Sequence, residues 1–98
     1  MKVQNMRSER RGGREVPNQF IITGAVVEID GVQCIGELFQ SYRTAIAFIS
    51  YDGRVFLDRN SWDYSVTTGK YRNQFLGEGI AETRKKIKSG EYCLTALN

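Results

Sequence analysis

The chain has 98 residues, a formal charge of +3, 41% hydrophobic and 11% aromatic residues, and no histidine. That length holds a single domain, and no apolar run nears the roughly 20 residues of a membrane-spanning helix. Without histidine the usual general base at neutral pH is missing, and two cysteines alone do not complete a zinc site unless carboxylates or a second chain contribute.

Residues 1–17 read as a flexible basic arm, and residues 18–98 as a single domain. The arm is polar, contains Gly12-Gly13, shows no hydrophobic period, and lacks the apolar core of a signal peptide, which points to the cytoplasm. It also holds all of the net charge. Lys2, Arg7, Arg10, Arg11 and Arg14 outnumber Glu9 and Glu15, whereas the rest of the chain balances nine basic against nine acidic residues.

The first half of the body reads as β. Phe20-Ile21-Ile22-Thr23 is a short apolar run of high strand preference, broken or bent at Gly24. Val26–Ile29 and Val32–Ile35 flank Asp30-Gly31, a pair suited to the positive φ angles of a type I′ hairpin turn. Gly36 allows a bulge or corner before Leu38-Phe39. Thr44–Ser50 and Arg54–Leu57 form a second hairpin around Asp52-Gly53. Alternation puts Ile46 and Phe48 on one face and Ala45, Ala47 and Ile49 on the other, with Val55 and Leu57 opposed to Phe56. Cys34 and Cys93 sit in apolar, strand-like settings and read as small buried hydrophobes.

The second half reads as α. Ser65, Thr67 and Thr68 are all possible N-caps. Gly69 favours a start at Thr68, since an interior glycine costs about 1 kcal/mol relative to alanine. Tyr71, Phe75 and Leu76 make a helical stripe, and Gly77 suits a left-handed stop. A second helix spans about Ile80 to Ser89, with Glu82 early and Arg84, Lys85, Lys86 and Lys88 late, as the helix dipole favours. Tyr92-Cys93-Leu94 adds a last short strand. The expected fold is α+β: an antiparallel sheet of four or five strands, with two short C-terminal helices packed on one face. The expected core is Phe20, Ile22, Ile46, Phe48, Val55, Leu57, Trp62, Tyr71, Phe75, Leu76, Ile80 and Ile87.

Two stretches carry a family likeness. Trp62-Asp63-Tyr64-Ser65, continued by Thr67-Thr68-Gly69-Lys70-Tyr71-Arg72-Asn73-Gln74-Phe75-Leu76-Gly77, and then Glu82 to Tyr92, resemble the C-terminal signature of a family of small proteins. These are carried by phages, plasmids and other mobile elements and form a domain of unknown function. Asn18–Thr23, Phe39–Tyr42 and Val55–Asp58 are also similar. The resemblance covers residues 18–98, with the arm and the Val26–Ile35 hairpin outside it. It implies an accessory protein of a mobile element, acting in the host cell, and supplies no catalytic residues.

No enzyme is expected and no cofactor. Asp58 and Asp63 flank Trp62, but their spacing across a loop fixes no geometry, and Asp63 reads as a turn or capping residue. Thr67-Thr68-Gly69-Lys70 lacks the leading glycines and residue order of a phosphate loop. The expected activity is binding, with nucleic acid or a nucleoprotein complex as partner. Arg10, Arg11 and Arg14 would neutralise phosphates, and Lys70, Arg72, Asn73, Lys85 and Lys86 would project outward to position or read. This expectation takes Tyr71 and Phe75 as core and leaves the polar helix face in water. The alternative is an inhibitor of a host defence complex anchored by aromatic residues such as Trp62, Tyr64 or Tyr42.

Overall fold

The computed structural model describes residues 1–10 and 12–98. Six strands lie in sequence order across one sheet: β1 (Lys2–Arg7), β2 (Glu15–Ile29), β3 (Val32–Ser41), β4 (Thr44–Ser50), β5 (Val55–Asp58) and β6 (Tyr92–Thr95). The first five pair antiparallel through short connections. β6 pairs parallel with β5, because α1 (Val66–Leu76) and α2 (Ile80–Ser89) form the crossover between them. The fold is therefore α+β, with a mostly antiparallel sheet and two short helices near the C-terminus.

One apolar cluster lies under the helices. Met6, Phe39, Ile46, Ala47, Leu57 and Tyr92 are buried there, and Trp62, Tyr71, Phe75, Leu76 and Ile87 pack against them. Phe39 and Phe75 bring their ring centroids to 5.8 Å, fixing α1 to β3. The second cluster lies on the opposite face: Ala25, Ile29, Cys34, Phe48 and Phe56, with Leu38 and Leu97 against them. The β2–β3 ribbon reaches this cluster by bending. A straight 15-residue strand would measure about 46 Å, more than the molecule's longest dimension of 39 Å. The bend comes where the β2–β3 register shifts between Thr23 and Ala25, at Gly24 with φ of 72°. Across from it, Gly36 meets β4 so closely that an added Cβ would lie 2.7 Å from the Ser50 Cα.

Three expectations need correction. Residues 1–17 are not a separate arm. β1 pairs with β2 from Lys2↔Thr23 to Arg7↔Glu15, Met6 is 3% exposed, and Asn5 Nδ2 donates to the Val16 carbonyl at 2.9 Å. The strand escaped notice because it is an edge, and edge strands carry charged and polar residues that mask their period. Pro17 lies where the β1–β2 pairing is interrupted between Glu15 and Phe20, so its missing N–H costs no ladder bond. Second, Ile46 does not share a face with Phe48. Phe39 pairs with Ala47 and Gln40 with Ala45, so Ile46 is the extra residue of a bulge and turns to the helix side with Ala47. Third, Cys93 is exposed on the edge strand β6, while Cys34 is buried.

Candidate binding groove

α1 begins at Ser65, not Thr68. The Ser65 hydroxyl accepts the Thr68 N–H at 3.1 Å, capping the first turn. Gly69 therefore lies inside the helix, and it has a local reason to be there. A Cβ at that position would touch the Arg72 guanidinium at 3.4 Å. The helix buries Thr68, Gly69 and Arg72, a stripe beside the half-buried rings of Tyr71 and Phe75. Thr68 Oγ1 and Ser41 Oγ share a hydrogen bond at 3.0 Å, tying the helix to the end of β3.

Arg72 is the centre of this arrangement. Only 1% of it is exposed. Its Nη1 donates to the Trp62 carbonyl at 2.7 Å and to Asp63 Oδ1 at 3.0 Å, and its Nη2 donates to Asn73 Oδ1 at 3.0 Å. The guanidinium also lies 5.2 Å from the Trp62 ring centroid, a cation–π distance. Asp63 takes a second cation, Arg84, at 3.2 Å. The Trp62-Asp63 junction is thus bound to both helices by charge.

A second polar cluster closes the far side. Glu78 accepts from Thr83 Oγ1 at 2.6 Å, Lys86 Nζ at 2.7 Å and the Tyr92 hydroxyl at 2.8 Å. Burial pushes the Glu78 carboxyl up, but the hydrogen bonds from Lys86, Thr83 and Tyr92 together outweigh it and hold it below the usual range. Chiefly through its bond to Glu78, Lys86 is held above the ordinary lysine value. Asp58 serves a different neighbourhood. Its Oδ1 accepts the Leu97 N–H at 3.0 Å, and Asn98 forms two side-chain bonds with the Ala45 backbone, so the carboxylate fastens the C-terminal tail to β5 and Asn98 fastens it to β4. Asp58 and Asp63 are committed to different partners.

Between the β1–β2 turn and α1 runs an open groove of about 1200 Å³. Ser8, Glu9 and Arg10 form one wall, and Tyr64, Val66 and Lys70 stand on the other. Val66 is 92% exposed and Tyr64 51%. Gln74 Nε2 donates to the Arg7 carbonyl at 2.6 Å and joins the two walls at the base.

The structure redistributes the eight expected contact residues. Arg72 is buried, Asn73 accepts from it, and Lys86 is paired with Glu78, so three of the outward readers are internal supports. The helical-wheel argument failed for them because it assumed that the aromatic stripe alone faced inward. Arg10 and Lys70 both line the groove, and the Lys70 ammonium lies 5.4 Å from the Tyr71 ring centroid. Lys85 is exposed on α2, away from the groove lining, and Arg14 is exposed on β1–β2. Arg11 lies outside the described residues. Sequence reasoning missed Val66. Its signal was partial: Lys70 stands one turn on at i+4, although Gly69 at i+3 belongs to the buried side.

Residues 1–91 match the model of a family described as "Family of unknown function (DUF8033)", and the chain belongs to that family. The match takes in the basic N-terminal segment, which the likeness read from sequence left out. No curated protein and no solved structure matches the chain. Among the described residues, no helix is long and apolar enough to cross a membrane.

Proposed function

We propose that this protein is a non-enzymatic binding module, an accessory of a phage or other mobile element acting in the host cytoplasm, that receives a protein partner in the groove beside α1. The mobile-element context rests on the likeness of residues 18–98 to such proteins. Blocking a host defence complex is the role that suits a small module of this kind.

One observation carries the choice of a protein over nucleic acid. The groove's lining pairs exposed apolar groups, Tyr64 and Val66, with both signs of charge, and the helix residues suited to base reading are consumed internally. A surface that tracks phosphates needs a run of unopposed cations. A protein-docking surface needs aromatic and apolar anchors with a polar rim.

A second reading keeps nucleic acid as the partner. It draws on Arg10, Arg14, Lys70, Lys85 and Lys88, which are exposed and form no ion pair among the described residues. Salt separates the two. Four phosphate contacts would weaken binding about 10²-fold for a fourfold rise in salt. We expect partners captured on the tagged protein from host extract to persist after nuclease treatment and to weaken less than about tenfold over that rise. Loss of the captured partners after nuclease would transfer the reading to nucleic acid.

A further inference from the structure

The β2–β3 ribbon is acidic, in contrast to the basic N-terminal segment. No Lys or Arg occurs between Glu15 and Arg43, whereas Glu28, Asp30 and Glu37 all lie in that interval. β1 pairing stops at Thr23 and β4 pairing stops at Gly36, so residues 25–35 form a two-stranded ribbon beyond both neighbours. One face of this ribbon is packed on Phe48 and Phe56. On the other, Val26 and Ile35 stand opposite each other in register, 60% and 53% exposed, next to the Glu28–Gln33 pair, while Val32, paired with Ile29 at the tip, is 61% exposed. An exposed Val26–Ile35 pair beside the carboxylates of Glu28 and Asp30 gives the tip an apolar anchor with an acidic rim.

The groove supplies the complement. Of its three carboxylates, Asp63 and Glu78 are spent on Arg72, Arg84 and Lys86, and Glu9 stays exposed beside two free cations. Arg10 and Lys70 form no ion pair among the described residues, and Val66 offers apolar area between them. A molecule cannot satisfy its own groove. α1 docks at Ser41 and Arg7, at the start of β2, while the tip is ten residues further along, about 33 Å of strand. The ribbon moreover bends to the face opposite the helices.

We infer that the groove of one molecule takes the acidic ribbon tip of a second copy, through Glu28 and Asp30 on Arg10 and Lys70 and Val26 on Val66. This rests on the reading of the groove as a protein-docking surface. The contact joins two different patches, so it is heterologous and builds head-to-tail rings or chains.

Sedimentation equilibrium of the intact protein tests it. The average mass should rise above the 11.2 kDa monomer with concentration. Glu28→Lys and Lys70→Glu change exposed side chains, so the fold is retained, which circular dichroism checks. Each should weaken self-association at least about tenfold. Mixing the two variants should restore it, because each tip then meets a groove of opposite sign. The inference is overturned if the protein stays at monomer mass up to about 1 mM, where even a weak interface is half occupied. It is equally overturned if neither reversal matters or if mixing restores nothing. A monomer that still captures a foreign partner through Lys70 and Val66 leaves the proposed function standing without this inference.

Discussion

A guanidinium withdrawn from water must find acceptors for its donors, because each buried polar group left without one costs about 1–3 kcal/mol. Arg72 finds three for its terminal nitrogens, the Trp62 carbonyl, Asp63 and Asn73, all within 3.0 Å, while its buried Nε has none among the described residues. Its planar fork meets them at once, which a lysine's single ammonium cannot do. Arg72→Lys should therefore destabilise the protein by about 2–3 kcal/mol despite keeping the charge. Urea denaturation measures this, and a loss below about 0.5 kcal/mol would show that the network is not what holds the junction. Gly36 is the other residue with no substitute. An alanine Cβ there would run into the Ile49 carbonyl oxygen and fall 2.7 Å from the Ser50 Cα, both backbone atoms that cannot rotate away. Gly36→Ala should cost about 3 kcal/mol or more, at the upper end of overpacking, with loss of amide protection at Ser50 and Tyr51.

At the scale of elements, the strands were legible where two apolar runs flank a turn pair. Asp30-Gly31 and Asp52-Gly53 fixed both hairpins, and Asp30 adopts a φ of 51° beside Gly31 at 79°. The helices were legible as elements, but their inward faces were not. Tyr71, Phe75 and Leu76 do pack on the core. The deepest side chain of α1 is nonetheless an arginine, and no pattern of hydrophobicity announces a buried charge. Its acceptors, Trp62 and Asp63, lie 10 and 9 residues away, so the pairing depends on the turn between them. β1 was hidden for a related reason: a polar edge strand looks like a tail until its partner is known. The bulge at Ile46 is set by strand register, which alternation within one strand does not encode.

For the molecule as a whole, two depressed carboxylates tie stability to pH. Glu78 holds α2 and β6 together through Thr83, Lys86 and Tyr92. At Asp58, burial pushes the carboxyl up, and hydrogen bonds led by the Leu97 N–H together hold it below its usual range. A carboxyl lower in the folded state than its ordinary 4.5, as Glu78 is, contributes stability above that ordinary value. The contribution is lost as pH falls through the folded value. The stability gap between the native protein and Glu78→Gln should thus be widest at neutral pH and narrow as the pH falls below the ordinary 4.5. Chemical denaturation across that range measures it, and a gap independent of pH would contradict the assignment.

The groove between residues 8–10 and α1 is the surface on which the functional reading stands, and Val66 is its most exposed apolar residue. The measurement that reaches it most directly compares two charge-introducing variants in capture of the partner from nuclease-treated host extract. Val66→Asp should reduce capture at least about tenfold, as removal of an interface anchor does, with the thermal midpoint unchanged. Lys85→Glu, outside the groove, should leave capture intact. Undiminished capture by Val66→Asp together with loss in Lys85→Glu would move the binding surface to α2 and contradict the account.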